Sequence, residues 1–369
     1  MSAQSPNWPQ WLPLREDLRE LSPYGAPQLD NVVRLNTNEN PFSLPAHVVK
    51  EIASRIEKLA GDLNRYPDRD AVRLREKLAT YINTLSKTTF DVTNIWAANG
   101  SNEILQTLFL AFGASGRIAL GFTPSYSVHP LIAKITGTEW RSGKRDSEFS
   151  IERDAAVSEI RNIKPSLVFV TTPNNPTGTA TPLDDIRAFA AVCAEVNALL
   201  VIDEAYAEFS SENSAVMLLS EFPHIVISRT MSKAFAFAGV RLGYLIARPE
   251  VIDAMLVTRL PYHLSALTQA AAEVALDQSN AMQEGIELLK SERERVRAAI
   301  GNAGWSAFES AANFLLFSGF PEASADTWKK FLDKGVLIRD VSLAGYLRVT
   351  IGTPEENEKF ISAMKEIAR

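Results

Sequence analysis

Lys233 stands in the run RTMSKAFAFAGVRLGY (229–244), directly after a short apolar segment. A lysine taken alone is most often a solvated surface residue. Here its neighbours are Ser232, Ala234, Phe235, Ala236 and Phe237, a setting in which a charged ammonium is costly. Desolvation lowers the pKa of an amine and leaves it competent to form a Schiff base with a carbonyl. Thr230, Ser232 and Arg241 flank it with two hydroxyls and one fixed positive charge, the donors that suit a phosphate monoester dianion.

A second group lies in LLVIDEAY (199–206). A strand-end acid such as Asp203 can simply cap a loop. It can also sit beside a pyridinium nitrogen and keep it protonated while the ring accepts electrons. At 4 Å and an effective dielectric near 20 such a pair is worth about 4 kcal/mol, or roughly 3 pKa units. Tyr206, three residues on, could hydrogen-bond an oxygen on the same ring. The segment TTPNNPTG (171–178) reads equally as a plain turn or as a loop that brings Asn175 to that oxygen. In AANGSNEI (97–104), Gly100, Ser101 and Asn102 would open a helix and offer free backbone amides to a phosphate. Tyr126, in TPSY, could stack on a ring or be an ordinary packed tyrosine.

These residues need a scaffold, and the pattern from about 70 to 250 describes one. Strand candidates are 117–121 (RIALG), 166–171 (SLVFVT), 199–203 (LLVID), 225–228 (IVIS) and 244–247 (YLIA). They are nearly continuous in hydrophobicity, as strands buried on both faces are. Between two of them, TPLDDIRAFAAVCAEVN reads as a helix with Thr181 as N-cap and Pro182 at the first helical position. This alternation implies an α/β domain with a mostly parallel sheet. From about 265 one long helical stretch runs to 301, followed by strands around 313–317, VLIRD and YLRVTIG, and a closing helix. That reads as a smaller α+β domain. The expected division is 1–45 for an N-terminal arm and part of the small domain, 46–264 for the large domain and 265–369 for the small one. The first 30 residues hold five prolines, which suits an extended arm.

The chain has 369 residues and a formal charge of −6, which argues against nucleic acid as a partner. Its single cysteine, Cys193, cannot form an internal disulfide and reads as a small buried residue. Four scattered histidines offer no metal-ligand spacing. The N-terminus has no apolar run of signal-peptide length, and no stretch of about 18 apolar residues suggests a membrane span. A cytoplasmic location is expected.

Taken together, NPTG, then DEAY, then SK with an arginine eight residues after the lysine, the chain resembles the fold-type I pyridoxal-phosphate (PLP) aminotransferases of class I/II. The resemblance implies that Lys233 carries pyridoxal 5'-phosphate as a Schiff base and moves the substrate α-proton. It further implies that Asp203 pairs with the ring nitrogen, Asn175 and Tyr206 hold the ring oxygen, and Thr230, Ser232, Arg241 and the 100–102 turn hold the phosphate. In such enzymes a tyrosine of the neighbouring subunit also reaches the phosphate. NRYPDRDA matches that position, so Tyr66 and a homodimer with shared active sites are expected.

PYGAP, RLNTNENP, NRYPD, SRTMSKAF, VLIRD and LRVTIG are similar to the histidinol-phosphate aminotransferases, particularly the actinobacterial type. That likeness assigns Arg348 to the substrate carboxylate, adds Arg339 for the substrate phosphate and brings Tyr24 over both from the arm. Histidinol phosphate has a phosphate and no carboxylate, whereas glutamate has an α-carboxylate. One pocket must therefore take each anion in turn, which two arginines can do by bidentate contacts. The implied reaction joins imidazole-acetol phosphate and glutamate to histidinol phosphate and 2-oxoglutarate. An aromatic amino-acid aminotransferase needs similar arginines, and a PLP-dependent decarboxylase needs the same Lys233, Asp203 and Arg241. A PLP-sensing regulator would carry a basic DNA-binding segment before the arm, and none is seen.

Overall fold

The computed structural model describes residues 8–368. Residues 1–7, where the reading of the N-terminus finds no export signal, lie outside the described residues. In chain order the elements begin with strand β1 (Val33–Arg34), helices α1 (Ala46–Leu59) and α2 (Val72–Ser86), strand β2 (Ile95–Ala98) and helix α3 (Ser101–Phe112). They continue with β3 (Ile118–Thr123), α4 (Val128–Thr136), β4 (Glu139–Lys144), α5 (Arg153–Ile163), β5 (Leu167–Thr171) and α6 (Leu183–Val196). Then come β6 (Leu199–Asp203), β7 (Ile225–Thr230), β8 (Gly243–Ile246), α7 (Pro249–Thr258), α8 (Ala266–Asp277) and α9 (Gln283–Asn302). The last elements are β9 (Ser306–Ala307), β10 (Phe314–Ser318), α10 (Ser324–Asp333), β11 (Val336–Leu337), β12 (Arg339–Asp340), β13 (Leu347–Thr350) and α11 (Pro354–Ile367).

The main sheet has seven strands in the order β2-β8-β7-β6-β5-β3-β4. All neighbours run parallel except β8, which is antiparallel to both β2 and β7. Strands β5 and β7 are buried at every residue, which is why their sequences are apolar without alternation. Helices on both faces supply that cover. Along α6, Ile186, Phe189, Ala190 and Cys193 fall on one buried stripe at helical spacing. Burial pushes the Cys193 thiol up to about 12, in keeping with a packing residue. The polar edge strand β4 (EWRSGK) is absent from the sequence-based expectation, because an edge strand with an exposed face carries no apolar run.

A second sheet of four strands has the order β12-β13-β10-β9 and is antiparallel throughout. Strand β1 pairs in parallel with β11, so the chain entering from the arm is tied to the C-terminal part. Among the described residues of the arm, Glu16–Leu18 forms a turn of helix. Arg15 pins it to the main sheet's layer by donating to the carbonyl of Ile135 at 2.7 Å, at the end of α4.

Two expectations are corrected. Helix α6 begins at Leu183 with Pro182 as its N-cap residue, one position later than the Thr181 cap expected, because the Pro182 carbonyl takes the first helical bonds from Asp185 and Ile186. Thr181 instead donates its backbone N–H to the Thr172 hydroxyl at 2.9 Å. The stretch 265–301 is two helices. It breaks after Asp277 through a 3-10 turn at Ser279–Met282, where Asp, Ser and Asn give weak helix propensity. Helix α8 packs on α1 and α2, whereas α9 packs on α11. No described helix is long and apolar enough to cross a membrane.

Candidate active site

The loops at the C-terminal ends of β5, β6 and β7 face the second sheet, and the segment 36–40 threads between the two. Ligands of open parallel sheets bind at such strand ends. Lys233 sits just past β7, and its Nζ donates to the Thr37 carbonyl at 3.0 Å. Burial, aided by the Arg348 charge and opposed by Glu39, lowers its pKa to about 8. The apolar neighbours read from the sequence are the cause: Ala234, Phe235 and Phe237 are all buried.

On one side of Lys233 a cradle of donors forms. The Thr230 hydroxyl donates to Ser232 Oγ at 2.9 Å, and Arg241 Nη1 reaches the same oxygen at 3.4 Å. Gly100 caps α3 with φ +82°, and a Cβ there would lie 2.6 Å from Arg241 Nη2. Gly243 lets β8 pass against the start of α3, since its Cβ would lie 2.3 Å from the Ser101 backbone nitrogen. These two close approaches bring the N-terminus of α3, with Ser101 and Asn102, to Arg241, Ser232 and Thr230. A helix N-terminus, a guanidinium and two hydroxyls make a seat for a dianion.

On the other side lies Asp203, at the end of β6 and 3% exposed. Its Oδ2 is 3.2 Å from His129 Nε2, while its Oδ1 is buried with no hydrogen-bond partner among the described residues. An orphaned buried carboxylate oxygen is costly unless a cationic N–H meets it. Tyr126 packs edge-on against His129 at 5.4 Å and donates to Asn102 Oδ1 at 3.3 Å, so it bridges the acid and the cradle. The Tyr206 hydroxyl accepts from Asn38 Nδ2 at 2.9 Å and from Asn175 Nδ2 at 3.4 Å.

Arg348, on β13, reaches across from the second sheet. Its Nη1 donates to Asn175 Oδ1 at 2.5 Å and its Nη2 to the Asn36 carbonyl at 2.8 Å. Its Nε is buried without a partner among the described residues. Burial lowers its pKa to about 10, with the Arg339 charge adding to the effect and Tyr206 opposing it. Arg339 is directly opposite Arg348 in the β12–β13 register, and directly opposed residues share a face. Tyr24, half exposed in the arm, lies close enough to act on the ionisation of Arg348, Tyr206 and Tyr126. Tyr66 stands apart on the surface, 79% exposed and stacked on Tyr262 at 4.4 Å.

Four participants are not singled out by sequence reasoning. His129 was one scattered histidine among four, and only the fold brings it 74 positions along the chain to Asp203. Asn38 sits within RLNTNENP, where polarity suggests exposure, yet it is 2% exposed. Arg229 and Glu204 form an ion pair at 2.7 Å, each about 3% exposed, beneath the loops that carry Lys233 and Asp203.

The residues present fit an aldehyde-bearing, phosphorylated, protonated aromatic heterocycle: a depressed amine, an orphaned carboxylate oxygen and a dianion seat. The chain belongs to the class I and II aminotransferases, whose pattern it matches over residues 30–364. It is 54% identical to the histidinol-phosphate aminotransferase of Mycolicibacterium smegmatis, over 97% of this chain and 94% of that one. The histidinol-phosphate aminotransferase of Corynebacterium glutamicum strain R is 53% identical over 97% of each chain. Among solved structures, the histidinol-phosphate aminotransferase of Sinorhizobium meliloti in complex with pyridoxal-5'-phosphate superposes with a TM-score of 0.80. That match covers 91% of this chain and 90% of the other at 23% identity, a likeness of fold.

Proposed function

We propose that the protein interconverts imidazole-acetol phosphate plus glutamate with histidinol phosphate plus 2-oxoglutarate, a step of histidine biosynthesis, with pyridoxal 5'-phosphate held around Lys233. When bound, the cofactor supplies an aldehyde that takes up the amino group and a ring that delocalises the charge left at the α-carbon. Lys233 would hold the aldehyde carbon through its amine, and as a free amine it would take the α-proton and return it. An amine with pKa about 8 has a usable neutral fraction near pH 7.5, whereas an ordinary lysine has almost none.

Asp203 Oδ1 keeps the ring nitrogen protonated, and His129 fixes the other carboxylate oxygen. Asn175 and Tyr206 hold the ring oxygen, and Tyr126 covers a ring face. Thr230, Ser232, Arg241 and the Gly100, Ser101 and Asn102 turn hold the phosphate. A second copy of the chain supplies Tyr66 to the phosphate, which accounts for a tyrosine left 79% exposed in one chain. The enzyme is therefore a homodimer with shared active sites, working in the cytoplasm. Its working units are the arm and part of the small domain (1–45), the large domain (46–264) and the small domain (265–369).

The anion site of this reading is Arg339 opposite Arg348, a pair that an aromatic aminotransferase would share. Like charges directly opposed destabilise a strand pair unless an anion lies between them. Two guanidiniums at the mouth take the α-carboxylate of glutamate in one half-reaction and the phosphate of histidinol phosphate in the other. Tyr24 closes over the bound anion from the arm. The observation that carries the substrate reading is the 54% and 53% identity, over nearly the whole chain, to two histidinol-phosphate aminotransferases.

The test is a single-turnover half-reaction, following the cofactor's visible absorbance with histidinol phosphate and separately with phenylalanine. Conversion far faster with histidinol phosphate is expected. Equal or faster conversion of phenylalanine would move the enzyme to the aromatic aminotransferases.

A further inference from the structure

Asn38 adopts a left-handed backbone, φ +56°, and its polar atoms are all engaged. Its backbone N–H donates to Thr350 Oγ1 at 3.0 Å, and the Thr350 hydroxyl donates back to Asn38 Oδ1 at 3.0 Å. Its carbonyl accepts from Asn313 Nδ2 at 3.2 Å. Because Oδ1 is taken by the Thr350 hydroxyl, the amide nitrogen must face Tyr206, to which it donates at 2.9 Å. Turning the amide over would leave the Thr350 hydroxyl without its acceptor. The orientation is thus fixed by the network around it.

The consequence concerns Tyr206. A phenol has one proton to give and two lone pairs to receive with. Both lone pairs of Tyr206 are met by amide N–H groups, from Asn38 and from Asn175. Its own proton has no acceptor in that arrangement and points outward into the site. The ring is held by an edge-on contact with Phe314 at 5.1 Å, so the hydroxyl cannot swing to another partner. The titratable groups facing Tyr206 are Arg348, Asp203, Tyr24 and Tyr126.

We infer that Asn38 is a positioning residue that sets the direction of the Tyr206 proton, making Tyr206 an obligate donor to the cofactor's ring oxygen. The inference rests on the proposed reading that Tyr206 meets that oxygen. Through Thr350 on β13, the same residue ties this donor to the strand that carries Arg348, so proton direction and anion binding share one support. A donor to an anionic ring oxygen stabilises the deprotonated form of the bound cofactor. Losing the donation therefore raises the pH at which the visible absorbance changes.

The experiment titrates the visible absorbance of the holoenzyme, without substrate, for Asn38→Gly, Asn38→Asp, Thr350→Val, Tyr206→Phe and the double variant Asn38→Gly/Tyr206→Phe. Glycine accepts the backbone φ of Asn38 without strain, and aspartate keeps the shape while replacing a donor with an acceptor. Both Asn38 variants and Tyr206→Phe are expected to raise the absorbance midpoint by about 1–2 pH units, the worth of one hydrogen bond to a charged group. Thr350→Val should move it the same way by less, and the double variant no further than Tyr206→Phe alone. The inference is overturned if the Asn38 variants titrate like the wild type while Tyr206→Phe moves, or if the double variant shows the sum of two shifts. An unmoved midpoint in Tyr206→Phe would instead remove the ring-oxygen contact, and the inference with it.

Discussion

His129 Nε2 lies 3.2 Å from Asp203 Oδ2 with both side chains buried, and the other carboxylate oxygen of Asp203 has no partner among the described residues. The imidazole occupies one oxygen and so aims the second at the cofactor site. Asp203→Asn keeps the shape and the His129 contact but removes the charge proposed to stand beside the ring nitrogen. An ion pair worth about 4 kcal/mol corresponds to roughly a thousandfold. kcat/KM for histidinol phosphate is expected to fall by about that factor, and dialysis should strip the cofactor faster. Wild-type rates and retention in Asp203→Asn would show that this carboxylate does not serve the ring.

The Lys233 amine gives a pH signature in the cofactor-free protein. Its pKa is lowered by burial to about 8 from an ordinary 10.5. Between those values the unfolded chain holds a proton that the folded chain has lost, so stability rises with pH across that window. Below pH 8 both states carry the proton, and the full penalty of about 3 kcal/mol stands against folding. Lys233→Met removes the ammonium and should raise the Tm of the cofactor-free protein at pH 7, with the gain shrinking toward pH 10.5. A gain independent of pH would assign it to packing. In the same variant, borohydride should fix no cofactor to the chain.

How much of this site the sequence discloses follows from where each contact comes from. Lys233, Asp203, Thr230, Ser232 and Arg241 are legible because each sits at or just past a buried strand whose apolar run marks it. The cradle is legible from the Gly100, Ser101 and Asn102 turn that leads into an apolar helix, although strand β2 before it is not among the expected strands. His129, Asn38 and Arg229 are not, because their partners are 74, 168 and 25 positions away and only the packing of the sheets joins them. Strand β4 and the break after Asp277 escape periodicity because one is polar and the other is a local loss of helix propensity. Tyr66 shows the opposite case: a local motif marks it, and the single chain leaves it on the surface.

Arg348 makes two hydrogen bonds within the chain and keeps its buried Nε without a partner among the described residues, as a group waiting for an anion does. Arg348→Ala should raise KM for both glutamate and histidinol phosphate by about 10- to 100-fold, the worth of one or two charge-assisted hydrogen bonds. Arg348→Lys should rescue little, because an ammonium cannot reproduce the two-pronged contact. Arg339→Ala should affect histidinol phosphate more than glutamate. Steady-state kinetics with each substrate varied in turn separates these outcomes, and an unchanged KM for either substrate in Arg348→Ala removes that residue from the shared anion site.

Beneath the site, Arg229 donates to Glu204 Oε2 through Nη2 at 2.7 Å and through Nε at 3.0 Å, while Glu204 Oε1 accepts the Ala215 N–H at 2.7 Å. Removing one partner of a buried pair leaves an uncompensated charge, at a cost of about 3–5 kcal/mol. Arg229→Met should lose that much stability in denaturant titration. Adding Glu204→Gln should restore part of it, since one of the two stranded carboxylates, Glu204 and Glu208, is then gone. If the double variant is as unstable as the two losses summed, the two side chains are not coupled and the pair does not tie β6 to β7.

The proposed role of Tyr66 depends on a second chain, and it permits a test that does not require seeing the assembly. If each site takes Lys233 from one subunit and Tyr66 from the other, a subunit bearing Lys233→Ala still offers a sound Tyr66 to its partner. A subunit bearing Tyr66→Ala still offers a sound Lys233 but binds cofactor weakly in a homodimer. In the hybrid of the two, one site carries both lesions and the other carries neither. Mixing the two variants under conditions that exchange subunits should therefore restore cofactor retention and transamination at one site per hybrid dimer, up to half the wild-type activity per hybrid. Tyr66→Ala alone should release the cofactor about tenfold more readily, the loss of one charge-assisted hydrogen bond. No recovery on mixing, with exchange verified by mass-tagged subunits, would place Tyr66 outside the partner's site and leave its stacking on Tyr262 as its only role.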